Sequence, residues 1–167
     1  MKKTTMLLIM LVSFVLSAQM KFAYVNSDKV LAEYNEAKKA KEELSKWNKE
    51  METKAMGMEK EIQALEDEIK NMSLMVSEEK RNEKMAQGQQ KLQEYYQFKE
   101  VTWGQTGEFY KKNGELMQPV IDKINDVIKE ISQKEKYDFV FDANTGTLLF
   151  AKPEYEITDL ILKELNK

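Results

Sequence analysis

The sequence predicts a mainly α-helical protein with a small β body: a long antiparallel coiled-coil helical hairpin projecting from a strand-containing oligomerisation body, in the order β-α-α-β-β-α. Three observations carry that expectation. An apolar residue recurs every seven positions from Val30 to Met72, and a second such series runs from Tyr96 to Ile131. Short alternating aromatic segments stand near the two ends. Between them charge is dense: 33% of the chain is charged, with only 2 Pro and 6 Gly. Such a mix suits long solvated helices better than a thick globular core, and the ordered apolar spacing argues against disorder.

The chain opens on a targeting pattern. Lys2 and Lys3 form a positive n-region, Met6 to Leu16 is apolar apart from Ser13, and Leu16-Ser17-Ala18-Gln19 offers a cleavage site after Ala18. The apolar run is short for a bilayer span, so residues 1–18 are expected to be a signal peptide, cut within about a residue or two of Ala18, and residues 19–167 a single exported domain. Gln19 stands where a lipoprotein signal needs Cys, and the chain has no Cys. A soluble exported protein follows, without stable membrane insertion after cleavage, without a lipid anchor and without disulfides or thiol chemistry. Removing Lys2 and Lys3 leaves 24 of 26 basic residues against 29 acidic ones, a net charge of −5. Nucleic-acid binding normally needs a basic footprint, and none is present.

Lys21 to Asn26 alternates as a strand, after which Ser27 or Asp28 is expected to cap a long helix. Val30, Ala37, Leu44, Met51, Met58, Leu65 and Met72 form its seam, with Ala40 and Trp47 as early companions and Ala55, Ile62, Ile69 and Val76 as later ones. One slip falls between Met51 and Ala55, so the spacing is that of a left-handed coiled coil with a single irregularity. A helix from about Asp28 to Met72 would be about 65–70 Å long. The tip is expected near residues 73–77, with Ser77 capping a second helix that carries Glu78 and Glu79 in its first turn. Tyr96, Trp103, Tyr110, Met117, Ile124 and Ile131 form the second stripe, and Met85 and Leu92 precede it out of frame. Two long helices joined by a short turn pack antiparallel. Gln89, Lys99, Thr106 and Asn113 thin this second seam, and Gly104, Gly107 and Gly114 each lower helix stability by about 1 kcal/mol relative to Ala. A flexible second arm follows, bent near the glycines or Pro119.

The arm covers about residues 31–117, and the body is expected from residues 21–30 and about 118–167. Val120, Ile121, Ile124, Val127, Ile128 and Ile131 widen the apolar face beyond a two-helix seam. Tyr137 to Asp142 alternates as a strand, Asn144-Thr145-Gly146 is turn chemistry, and Thr147 to Ala151 predicts a returning strand. Pro153 is expected to open a last helix with Ile157, Leu160, Ile161 and Leu165 on one stripe. Three short strands cannot cover two sheet faces, so Phe22, Tyr24, Phe139, Phe141, Leu148 and Phe150 form the candidate oligomer surface.

Two strings carry a family likeness: Lys21-Phe22-Ala23-Tyr24-Val25-Asn26-Ser27-Asp28-Lys29-Val30, and Lys136-Tyr137-Asp138-Phe139-Val140-Phe141-Asp142-Ala143-Asn144 with Glu156-Ile157-Thr158-Asp159 after it. In these strings, and in the charged helical length between them, the chain resembles the Skp/OmpH family of periplasmic chaperones. The resemblance implies a Skp-like homotrimer whose strands build an intersubunit barrel and whose three hairpins enclose a cavity. It implies that unfolded outer-membrane or exported proteins are the partners, held there without ATP or any cofactor. No catalytic residue is carried over. The better-known members are basic and this chain is acidic after processing, so no lipopolysaccharide site is carried over either.

The chain has no His, no Cys and no glycine-rich phosphate loop. Carboxylates such as Glu59, Glu61, Glu66, Asp67 and Glu68 alternate with lysines as a solvated helical surface does. No enzyme activity, metal site or cofactor site is therefore expected. Methionine is more informative, because its unbranched side chain adapts to varied partners. Met51, Met58 and Met72 hold seam positions, whereas Met56 and Met75 fall outside the stripe. With Met85, and with Tyr95, Phe98 and Phe109 off the second stripe, these six are the candidate client contacts. A structural coiled-coil adaptor of the cell envelope, binding one specific protein through a fixed patch, stands as the alternative function.

Overall fold

The computed structural model describes residues 20–72 and 76–167. The signal segment 1–18, Met75 and the centre of the expected tip lie outside the described residues.

Strand β1 (Phe22–Val25) pairs in parallel with β2 (Phe139–Asp142), Phe22 opposite Phe139 and Val25 opposite Asp142. A parallel pair cannot be joined by a tight turn and needs a crossover; here residues 26–138 are that crossover. Strand alternation sends Ala23 and Val25 into the core, with Val140 packed against it, and leaves Phe22, Phe139 and Phe141 exposed on the other face.

Helix α1 (Ser27–Glu33) starts where the sequence expected it but is capped by Asn26, not by Ser27 or Asp28. The Asn26 side chain accepts from the Lys29 N–H at 2.9 Å. Other N-terminal donors are met from far along the chain: Asp142 accepts from the Ser27 N–H at 3.4 Å, and Asn144, with its amide oxygen turned inward, accepts from Ser27 and Asp28 at 3.1 and 2.9 Å. Burial disfavours the Asp142 carboxylate. Hydrogen bonds from the Asn144 backbone and from Ser27 outweigh it and hold this carboxyl below its ordinary value.

The single long helix expected from Asp28 to Met72 is divided at Tyr34, whose backbone is extended (φ −68°, ψ 126°), and resumes as α2 (Asn35–Lys70). The Tyr34 ring is buried, and its hydroxyl donates to Glu36 at 2.6 Å. Burial first, then that carboxylate, push the phenol up to about 12. The break lets the C-terminal helix α5 (Thr158–Leu165) clamp α1 at both ends. Thr158 accepts from the Asn26 N–H at 2.9 Å, and Asn166 accepts from the Asn35 N–H, also at 2.9 Å.

Ser77 caps α3 (Glu78–Trp103), accepting from the Lys80 N–H at 3.4 Å. The second arm is interrupted at Gly104–Gly107 alone; α4 (Glu108–Glu135) runs unbroken through Gly114 and Pro119. Both interrupting glycines sit against backbone. A Cβ on Gly104 would collide with the Glu100 carbonyl oxygen, and one on Gly107 would lie 2.8 Å from that of Thr102. Lys136 takes the left-handed conformation (φ 59°), with the Tyr137 N–H bonded to the Ser132 carbonyl at 2.9 Å, and turns the chain into β2.

Two C-terminal expectations are corrected. Thr147–Ala151 forms no strand, and the sheet is two-stranded among the described residues. Asn144 is tied to the start of α1 and Gly146 turns with φ 74°, so the segment passes beside Phe22, Tyr24 and Phe141 instead of returning along β2. Pro153 opens only a 3₁₀ turn (Pro153–Tyr155), after which Ile157 donates to the Tyr24 carbonyl at 2.9 Å. Within α5, Leu162 is buried and Leu160 exposed. The core gathers Val30, Tyr34, Ala37 and Ala40 against Val120, Val127 and Ile131 of α4 and the apolar face of α5.

Ile161 has no exposed surface, so Ile161→Ala should cost about 2–5 kcal/mol, measured by thermal or urea unfolding. The depressed Asp142 carboxyl contributes stability that is complete above its unfolded value of about 4. That contribution is lost as pH falls through the lower folded value. Asp142→Asn should therefore flatten the acid limb of a stability profile against pH.

Candidate functional site

Antiparallel pairing of α2 with α3 and α4 makes the arm. On α2 the expected seam holds throughout: Ala37, Ala40 and Ala55 are buried, and Leu44, Trp47, Met51, Met58, Ile62, Leu65 and Ile69 are half-buried. On α3 the frame differs from the one expected. Tyr95 is 9% exposed and its neighbour Tyr96 is 61% exposed. The side facing α2 is Arg81, Lys84, Gly88, Lys91, Tyr95, Phe98 and Thr102, alternating three- and four-residue steps one position before the apolar stripe. Past the interruption, Met117, Ile124 and Ile131 do face inward as expected.

Two physical causes explain the shift. A helix break resets rotational phase, so one heptad frame cannot span Gly104–Gly107. The α3 seam is also built from lysine stems and a glycine, which cover apolar surface without reading as apolar.

Cross-arm contacts show the same reset as a jump in register. Lys84 pairs with Glu68 and Lys91 with Glu61, each at 2.9 Å, and the Trp103 indole donates to Asn48 at 2.8 Å. One residue back along α2, Trp47 meets Phe109, ring centres 6.4 Å apart, so α3 and α4 advance six residues there instead of one. The slip between Met51 and Ala55 lies at about the same height on the facing helix. Both arms change phase together.

Of the six candidate client contacts, the arm places Tyr95, Phe98 and Phe109 in its own packing. The Tyr95 hydroxyl bonds to Glu59, which raises its pKa above the ordinary phenol value, with burial adding to the effect. Phe98 packs edge-on to Trp103 at 5.8 Å beneath the Lys54 ammonium, and Phe109 lies on Trp47. Met56 and Met85 are exposed. Met75 lies outside the described residues. Leu92 and Tyr96, which the sequence assigned elsewhere, are exposed beside Met85 on one flank of α3. The useful signal was that these residues stand one position after Lys84, Lys91 and Tyr95.

The body gathers the six candidate oligomer residues on one side. Phe22 stacks on Phe139 and Phe141 with ring centres 5.7 and 6.3 Å apart. Phe22, Tyr24, Phe141, Leu148 and Phe150 line a hollow of about 330 Å³. Beside it Leu149 is 94% exposed and Phe150 83% exposed.

A family model described as outer membrane protein (OmpH-like) matches residues 21–165. The chain belongs to the OmpH-like family. This OmpH-like chain is 28% identical over 152 residues to an uncharacterized protein of Aquifex aeolicus strain VF5, covering 91% of this chain and 90% of that one. It is 23% identical over 151 residues to the Skp-like protein of Pseudomonas aeruginosa strain PAO1, covering 90% and 86%. Its fold matches the crystal structure from Caulobacter crescentus CB15 described as an OmpH-like outer membrane chaperone, with a TM-score of 0.78 at 14% identity, covering 89% of this chain and 85% of that one. Among the described residues of the OmpH-like chain, no helix is long and apolar enough to cross a membrane.

Tyr95→Ala removes a packed ring and a charge-assisted hydrogen bond, a loss of roughly 1–3 kcal/mol. It should accelerate amide exchange along α3 at least about tenfold, whereas Tyr96→Ala should leave exchange unchanged. Equal effects of the two substitutions would refute the corrected frame.

Proposed function

We propose that this chain is an ATP-independent periplasmic holdase that binds unfolded outer-membrane or exported proteins between helical arms and keeps them from aggregating. The observation that carries this is the division of apolar side chains on the arm. Its seam is closed by Tyr95, Phe98, Ala55 and lysine stems, while Met56, Met85, Leu92 and Tyr96 stay outside and unused. Residues that a coiled coil does not need, of adaptable shape, suit many weak contacts with varied chains. Release then needs no energy source, since each contact is weak. The Skp-like relative and the neighbour described as an outer membrane chaperone support the same role.

The working unit on this proposal is a homotrimer. An exposed surface formed by Phe22, Phe139, Phe141, Leu149 and Phe150 is more than a monomer in water leaves bare without a partner. Thr147–Ala151, outside any strand and without a backbone–backbone hydrogen bond among the described residues, supplies backbone donors and acceptors for a neighbouring subunit's sheet. Export would be directed by residues 1–18, and the chain would work in the periplasm without cofactor or catalysis. Client capture rests on apolar contact more than on charge, because residues 19–167 are acidic.

Light scattering provides the test. The purified protein should sediment as a trimer and suppress aggregation of a β-barrel protein diluted from urea. A monomer without effect on that aggregation would sink the proposal, and tight binding of one folded protein alone would favour an envelope adaptor. Phe150→Asp with Phe22→Asp should shift the protein to monomer and lower suppression several-fold.

A further inference from the structure

The two flanks of the distal arm are unlike. On one, Glu68–Lys84 and Glu61–Lys91 bridge the helices, and Lys54 lies over Phe98. The other flank carries a hollow of about 300 Å³, lined by Ile62, Ile69, Met85, Gly88 and Leu92, with Glu66, Lys70 and Gln89 at its rim. Positions 85 and 92, and 96 beyond them, fall about 100° round the helix from the seam positions 84, 91 and 95. They therefore continue the apolar wall of the hollow toward the elbow.

Gly88 makes the hollow. A glycine inside a helix weakens it relative to alanine, so its presence calls for a cause. Arm packing supplies none: a Cβ there would sit 3.8 Å from Ile69 Cδ1, an ordinary contact. The conformation supplies none either, because Gly88 lies within α3 with no positive φ. What the missing side chain does is open a floor between Ile62, Ile69 and the exposed walls Met85 and Leu92. Charge at the rim is uneven. Lys70 lies 4.0 Å from Asp67, while Glu66 has no ion pair among the described residues.

We propose that this hollow is a binding site for an aromatic side chain of an unfolded polypeptide, with Glu66 engaging a basic residue next to it in the same segment. The site rests on the holdase function above and names what one arm recognises. A volume of this size is at the lower end of those that hold organic ligands, and a methionine wall offers sulfur–aromatic contact and adjusts to ring shape. The carboxylate at the rim, on a chain of net charge −3, favours a cationic neighbour over an anionic one.

A short fluorescein-labelled peptide with one Trp between two Arg, followed by anisotropy, tests this on the purified protein. Gly88→Leu fills the hollow and should weaken binding at least about tenfold, while α3 amide exchange stays unchanged or slows. Gly88→Ala fits the arm without strain and should weaken binding by a smaller factor, as should Met85→Ser. Peptides with Ser for Trp, or Glu for Arg, should bind several-fold more weakly than the parent. Unchanged binding to Gly88→Leu, or equal binding of the Ser peptide, overturns the site. So does a loss of self-association in Gly88→Leu with peptide binding intact, which would assign the hollow to a second copy. If the wild type suppresses β-barrel aggregation while Gly88→Leu binds peptide normally, the site fails and the holdase function stands. If the wild type binds peptide yet leaves aggregation untouched, the site stands and the holdase function fails.

Discussion

Two strands of four residues each, drawn from opposite ends of the chain, pair in parallel, and the rest of the molecule hangs on that pairing. A parallel pair forces a crossover, and this one is a hairpin of long helices with no sheet of its own to cover. Everything that fixes the arm's direction is therefore concentrated at its base. Asp142 at the end of β2 and Asn144 just after it hold the first N–H groups of α1, and Thr158 and Asn166 hold the backbone on either side of that helix. Each bond is worth only about 1 kcal/mol, but they tie sequence-distant ends together and so must form cooperatively. A 36-residue helix rooted this way can lean on a small core.

Sequence periodicity showed the first arm correctly because its seam is made of apolar residues on an unbroken helix. Every seam position from Ala37 to Ile69 is buried or half-buried, and even the slip at Met51–Ala55 was visible as a change of spacing. The second arm was legible only beyond its elbow. Before it, Arg81, Lys84, Gly88 and Lys91 fill the inward positions, and none of them scores as apolar; Tyr95 and Phe98 then looked off-stripe when they were the stripe. Treating Gly104 and Gly107 as a reset of phase would have recovered them. The helix break at Tyr34 and the missing strand at Thr147–Ala151 were harder, because both depend on contacts made by distant residues.

The candidate site was legible in kind more than in place. Met56 and Met85 were found by a physical property, adaptability, which does not depend on the frame. The three aromatics were chosen by a frame, and that frame misses the inward side at Tyr95 and Phe98 on α3 and at Phe109 at the start of α4. Leu92 and Tyr96 show the complementary error: assigned to a seam or its edge, they are the surface. The six body residues lie together because strand alternation puts Phe22, Tyr24, Phe139 and Phe141 on one face, and the turn at Gly146 keeps Leu148 and Phe150 beside them.

On the proposed holdase function the arm faces opposed demands, and the uneven seam is one way to meet both. It must stay helical when empty, yet keep apolar side chains available to a partner. An aliphatic seam on both helices would satisfy the first demand and bury the side chains needed for the second. Lys84 and Lys91 take inward positions on α3 with their stems while their ammonium groups reach Glu68 and Glu61. Exposed pairs of this kind add at most about 1 kcal/mol each, so they keep the distal arm closed without making it rigid. The aromatic cluster of Trp47, Phe98, Trp103 and Phe109 sits at the elbow, where the change of register leaves the helices most in need of packing. Strength is thus placed at the base and the elbow, and the stretch beyond is left with a weak seam and a row of unused apolar side chains.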